Sequence, residues 1–400
     1  MSKKRSAHNT KAFKKVTPQP TRGSLITDIC NLAILATREI ENGNGYTKDS
    51  PDALLSFVVK SYLDSEQEHI IISSMEKLMD SGHIQPAVLL DSIADALADT
   101  VSDVYIRGSD TDDDPIALTT IDTHLFIVPM LLQYSSEATT ANAVALDNIE
   151  LRKCLTNNRL LSSDDLVNSM IDITVSPALY NASNLPISFT ERRQFITAIH
   201  KQEEQNKEYE HALTPSRIQA NAIIRFMVFT VKGDADYLDT CGLVNQELTI
   251  SSGDETCQQP DNILQNFAKD VSALIKKNNQ QIIDCFVSFP SYLRDGISVG
   301  VNLWNNISLE LVLAELTEMG EKPDKAYFDF VDDNGVTEIH IAIHSTGKRV
   351  DAKWTMLDGD FESAAESIME ILKDNGVTDI YMPAEEPKGI DHKTRGMRLH

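Results

Sequence analysis

The first quarter of the chain repeats apolar residues at helical spacing. Leu25, Ile29, Leu32, Ala36 and Ile40 recur every three or four positions, and Asn42-Gly43 ends the run. Ser50-Pro51-Asp52 places an N-cap, a first-turn proline and a first-turn acid before Leu54, Leu55, Val58 and Tyr62. Ser65 opens a third helix with Ile71, Met75, Leu78 and Met79 inward, closed at Gly82. Pro86 opens a fourth, with Ile93, Leu97, Val101 and Val104 inward, closed near Gly108. Short links between such helices predict antiparallel neighbours, in a bundle or a stack of helical pairs.

Further on, Leu125 to Leu132 reads as a core helix broken at Pro129. Asp147–Leu155 and Ser163–Ile173 read as helices, and Thr190 caps another that carries Phe195, Ile196 and Ile199. Residues 201 to 211 are almost wholly polar and Pro215 follows, which sets a domain boundary. Beyond it, Ile223–Val231 and Ile282–Phe289 have the β-branched and aromatic content of strands, with an amphipathic helix over Asn262–Lys277 between them.

The C-terminal pattern is the clearest. Ser308 caps a helix carrying Leu309, Val312, Leu313 and Leu316. Tyr327–Val331 is a strand, and Asp333-Asn334-Gly335 is a hairpin turn. Ile339, Ile341 and Ile343 alternate with Glu338, His340 and His344; Val350, Ala352, Trp354 and Met356 alternate with Arg349, Asp351, Lys353 and Thr355. Asp360 caps a helix ended by Gly376, and Val377–Met382 is a last strand. The expected fold is α+β and multidomain. It comprises a disordered basic arm (1–22), a helical domain (23–212), a mixed α/β region (216–306), an α-β-β-β-α-β domain (307–383) and a polar tail (384–400).

Charge sharpens this picture. The formal net charge is -24. Lys3, Lys4, Arg5, Lys11, Lys14, Lys15 and Arg22 stand in the first 22 residues without an acid. The rest of the chain, at -24 less those seven, therefore carries -31. A body that acidic repels nucleic acid, so nucleic acid is expected only on the arm, through Lys3, Lys4, Arg5, Lys14 and Lys15. No uncharged apolar run of about 18 residues is present, so no membrane contact is expected. Five cysteines without a CxxC pair, and no secretory leader, point to thiols in a reducing cytoplasm, with Cys30 and Cys285 buried.

Candidate chemistry is sparse. Phosphate-loop, dinucleotide, nucleophile-elbow and zinc-helix motifs are not expected, and neither is a cofactor or a metal. Asp110, Asp112 and Asp114 begin like a calcium loop, but Pro115 and Ile121 stand where its glycine and bidentate acid belong. His340 and His344 share a strand face about 13 Å apart, too far for one metal, and His124 has no partner spacing. Asp91, Asp95, Asp99 and Asp103 recur every four residues. On one helix, each such like-charge pair costs roughly 0.2–0.5 kcal/mol, which a basic partner surface would relieve. The favoured function is therefore a soluble acidic cytoplasmic binding or adaptor protein without catalysis, contacting a partner protein's basic face through these aspartates. The ionisable groups are expected to coat exteriors rather than gather in a reactive pocket.

The rival reading is enzymatic. The α-β-β-β-α-β order, with Asp351-Ala352-Lys353 on its third strand, resembles the PD-(D/E)xK nuclease superfamily. That resemblance implies a Mg²⁺ held by acids, with Asp333 and Glu310 as further candidates and Lys353 positioning the attacking water. Three other stretches resemble an uncharacterised proteobacterial family defined only as a domain of unknown function. They are Leu179-Tyr180 with Leu185-Pro186, the strand-rich Val336 to Leu357, and Asn375-Gly376-Val377-Thr378. This second resemblance implies a bacterial cytoplasmic origin and transfers no activity or site.

Overall fold

A computed structural model describes residues 22–43, 50–107, 117–135, 144–161, 170–200, 222–244, 260–333, 336–356, 361–383 and 396–399. The arm residues Lys3 to Lys15, the Asp110–Asp114 loop, Cys257 and the boundary at Pro215 lie outside these. The fold is α+β, and the chain divides into two compact units, Met1–Leu97 and Ala98–His400.

The first unit is helical: α1 (Arg22–Glu41), α2 (Pro51–Asp64), α3 (Glu68–Asp80) and α4 (Ile84–Ala98, whose last residue belongs to the second unit). Helix α1 packs on both α2 and α3. It buries Ile29, Cys30, Ala33 and Ala36, where two alanines let the neighbouring helices approach closely. Helix α2 buries Leu55, Val59 and Leu63, one residue round from the stripe expected on Leu54, Leu55, Val58 and Tyr62. Leu54 and Phe57 are left outside. Helix α3 buries Ile70, Ile71, Ser74 and Leu78 and leaves Met79 out. It stops at Gly82, whose φ of 76° is the left-handed turn a glycine adopts without strain.

The second unit holds two five-stranded sheets. The first contains β1 (Thr100–Arg107), β2 (Ala117–Tyr134), β3 (Asp172–Val175), β4 (Ala222–Asp234) and β5 (Ile282–Val287). Its order is β1-β2-β4-β3, all antiparallel, and β5 pairs the far end of β2 on the β1 side. Both faces are covered. Phe126, Val128, Met130, Met227 and Phe229 face a core that includes α5 (Asn148–Asn157) and α7 (Pro260–Asn278). Leu125, Ile127, Phe226 and Val228 face a core that includes α6 (Phe189–His200) and the start of α8 (Leu293–Glu318).

The second sheet contains β6 (Pro323–Asp333), β7 (Val336–Ser345), β8 (Arg349–Met356), β9 (Asp379–Pro383) and β10 (Gly396–Leu399), ordered β10-β9-β6-β7-β8. Only β6 and β9 are parallel, across the helix α9 (Phe361–Asp374). One face of this sheet is apolar: Ala326, Phe328, Ile339, Ile341, Ile343, Ala352 and Trp354 pack against α8 and α9.

Several expectations need correction. Helices were expected through residue 212, but β1, β2 and β3 lie within that span. The supposed helix Leu125–Leu132 is the middle of β2, a strand buried on both sides. Pro129 fits there because its backbone turns away from β4, to the side where β2 leaves β1 and takes up β5: its carbonyl accepts from Ser288 N, and no bond to β4 needs the N–H that it lacks. Of the helix expected over Ser163–Ile173, residues 163–169 lie outside the described residues, and its end at Asp172 and Ile173 belongs to strand β3. Ser308 caps nothing: α8 runs unbroken through it for 26 residues. That helix is also long and apolar enough to cross a membrane by length and composition, where no such helix was expected. Here it threads two cores, with Ile297, Val301 and Trp304 in one and Leu309, Leu313 and Leu316 in the other. At the junction, buried Asn305 donates to the Thr355 carbonyl (2.9 Å) and accepts from its N–H (3.1 Å), standing in for a neighbouring strand.

Candidate functional site

The four aspartates do not form one helical stripe. Asp91 and Asp95 lie half-buried on α4, but α4 ends at Ala98. Asp103 is exposed on β1, and Asp99 is wholly buried. The physical reason is a remote partner. The Arg192 guanidinium, in the first turns of α6, grips the Asp99 carboxylate with Nε at 2.8 Å and a terminal nitrogen at 2.6 Å. The same carboxylate accepts from Leu293 N at 2.7 Å, at the N-terminus of α8, where a negative charge is favoured. Asp99 therefore ties β1, α6 and α8 together.

A second polar group adjoins it. His124, on β2, is 5% exposed, and both Thr100 Oγ1 (3.1 Å) and the Tyr292 hydroxyl (3.2 Å) lie at its Nδ1. Its Nε2 has no partner. Burial pushes His124 down to about 4, against the smaller opposing pull of Asp122. Burial also raises Tyr292 and the thiol of Cys241. At neutral pH the imidazole, phenol and thiol are thus all uncharged, and the charge on Asp99 is committed to Arg192. The arrangement holds elements together but offers neither an ionised nucleophile nor a base poised near 7. The expectation that ionisable groups stay outside fails at Asp99, Arg192 and His124, without producing an acid–base pair.

The nuclease candidates are dispersed. Asp351 is exposed on the edge strand β8 and pairs with Arg349 at 2.7 Å. Lys353, two residues on, pairs with Glu338 at 2.9 Å, and His340 approaches the same carboxylate oxygen at 3.1 Å. Burial raises Glu338, but the bonds from Lys353 and His340 outweigh it and hold the carboxyl below its usual range. Glu338 stands opposite Thr355, four residues from Asp351 along β8, so roughly 13 Å separates the two acids along the strand. Asp333 stands opposite Val336 at the far end of the β6–β7 hairpin. Glu310 is exposed on α8, which packs on the other face of the sheet. Among the described residues no three His, Cys, Asp or Glu side chains converge as metal ligands. On β8 the alternating charges instead shield an edge that could otherwise pair with another chain.

Gly296-Ile297-Ser298-Val299-Gly300 matches the G-x-S-x-G pattern of a nucleophile elbow. An elbow needs a sharp strand-to-helix turn, whereas Ser298 lies inside continuous α8. The two glycines have another use. A Cβ on Gly300 would meet the Phe226 ring at 2.6 Å, and one on Gly296 would collide with Ile127. They let α8 lie directly on β2 and β4.

The remaining candidate surface is on α2. Phe57 is 72% exposed and Leu54 47%, beside half-buried Val58, on the side away from Leu55, Val59 and Leu63. The signal was in the sequence as a surplus: α2 has more apolar residues than one buried stripe can use. Comparisons with protein-family models, curated proteins and solved structures return no match to this chain.

Proposed function

We propose that this chain is a soluble, intracellular, non-catalytic binding or adaptor protein that docks a partner with a basic, partly apolar face through its helical unit. The observation that carries this is Phe57, a large apolar ring left outside a helix whose opposite face is fully buried. The surroundings set the partner's sign. Residues 23–97 hold 12 acidic and 4 basic side chains, a net -8, including Asp91 and Asp95. An exposed aromatic anchor on a unit of net negative charge suits a basic amphipathic segment.

The test is quantitative capture from the native cell with wild type, Phe57→Asp and the double variant Asp91→Lys/Asp95→Lys. The reading expects a basic protein on wild type that is lost from Phe57→Asp and weakened at least several-fold by the charge reversal. Equal recovery on all three overturns it. So does Mg²⁺-dependent cleavage of DNA or RNA that disappears in Asp351→Ala, which would revive the nuclease reading.

A further inference from the structure

The two sheets treat their edges differently. On β8, Asn305 occupies the backbone of Thr355, and Arg349, Asp351 and Lys353 line the strand. On β5, the Ser272 hydroxyl donates to the Cys285 carbonyl at 2.7 Å. Edge β3 is only four residues long. Strand β1 is eight residues long, and among the described residues it pairs with β2 alone. Arg193 donates to its first carbonyl, on Thr100, at 2.9 Å. From Val101 to Ile106 it carries no proline or lysine, and Asp103 is its single charge, where β8 alternates three. Val104 is 66% exposed and Tyr105 49%.

The outer half of β1 is also poorly supported. Strand β4 ends opposite Ile121, whereas β1 and β2 stay paired out to Arg107 and Ala117. Residues 104–107 and 117–120 therefore form a two-stranded ribbon beyond the rest of the sheet, and such ribbons are marginal alone.

The ladder shows which backbone groups point away from β2 and meet no strand among the described residues. Leu125 N donates to the Asp99 carbonyl, so Asp99, Val101, Asp103 and Tyr105 turn their backbone groups toward β2. Ser102, Val104 and Ile106 turn theirs outward, the same side on which Arg193 meets Thr100. The run Asp103-Val104-Tyr105-Ile106-Arg107 is self-complementary when reversed. With a twofold axis at Tyr105, Val104 and Ile106 of opposite strands exchange hydrogen bonds, and Asp103 stands across from Arg107 on each side. A twofold axis at Val104 would instead oppose Asp103 to Tyr105 and forgo that charge match.

We propose that two copies of this chain join by antiparallel pairing of their β1 edges about Tyr105, forming one continuous sheet. The interaction is isologous, as closed dimers require. Strand pairing of this length sits at the small end of specific interfaces, so association in the micromolar range is expected.

The test is sedimentation velocity of the full chain from about 1 to 200 µM, bracketing that range. A rise from 44.5 kDa toward twice that mass is expected. Val104→Pro removes an outward N–H without touching the β1–β2 ladder, and it should leave a monomer with unchanged circular dichroism. Asp103→Arg and Arg107→Asp should each weaken the dimer by tenfold or more, and the double variant should restore it. A wild-type monomer at the highest concentration overturns the proposal. So does a dimer that survives Val104→Pro, or a double variant no better than the single ones.

Discussion

Replacing Asp99 by Asn is the sharpest perturbation of the fold. The side chain keeps its shape but loses its charge, and the Arg192 guanidinium, 3% exposed, loses the carboxylate charge that it grips from two sides. Breaking a buried pair from one side costs about 3–5 kcal/mol. Leu293 N keeps an acceptor only if the amide oxygen turns to it, in which case Arg192 loses more. Urea unfolding reads the loss directly. Trp304 and Trp354 sit in the two cores of the second unit, so tryptophan fluorescence follows that unit alone. With a denaturant slope of about 3 kcal/mol/M, the midpoint should fall by about 1–2 M. Replacing both partners, as Asp99→Leu with Arg192→Met, should recover most of the loss, because an apolar pair pays no desolvation penalty. A midpoint within about 0.3 M of wild type for Asp99→Asn, at that same slope, refutes the buried-clamp argument.

Three other outcomes follow from named contacts. His124 titrates near 4 when folded and about 6.5 when unfolded, so the unfolded chain takes up the proton first. Stability is undiminished by this group above about pH 6.5 and drains as pH falls toward 4, by up to about 1.4 kcal/mol per pH unit. The urea midpoint of wild type should therefore drop more between pH 7.5 and 5 than that of His124→Gln, and equal drops contradict the assignment. Gly300→Ala, with its Cβ pressed on Phe226, should cost about 1–3 kcal/mol and lower the melting temperature by several degrees, whereas Ser298→Ala should shift stability by no more than about 0.5 kcal/mol. Asn305→Ala leaves the half-buried N–H and C=O of Thr355 without this partner and should cost about 1–2 kcal/mol, with an altered emission from neighbouring Trp354; an unchanged melt would show that the junction does not depend on it.

What the sequence conveyed depended on how many faces each element buries. The hairpins at Ile339–Ile343 and Val350–Met356 have one covered face, so apolar and polar residues alternate and the α-β-β-β-α-β order reads directly. Strand β2 has both faces covered, so Leu125–Leu132 is a continuous apolar run with no period, and Pro129 tips it toward a broken helix. The end of α4 is hidden in the sequence for a different reason. Nothing local distinguishes Asp99 from Asp95; its partners Arg192 and Leu293 N lie 93 and 194 residues away. Val101, Val104, Tyr105 and Ile106 did carry the β-branched and aromatic content of a strand, but the four-residue aspartate rhythm overrode it. His124, Thr100 and Tyr292 meet only through the β1–β2 register and the entry to α8, which no spacing rule reveals.

Recognition by the helical unit puts the partner at Phe57, whereas turnover on the second sheet would put a substrate at Lys353. A photo-crosslinking amino acid placed at Phe57, and separately at Lys353, tests this in the native cell. Adducts to a basic protein at position 57, absent or much weaker at position 353, are the predicted result. No adduct at 57, or nucleic-acid adducts at 353 alone, would contradict it.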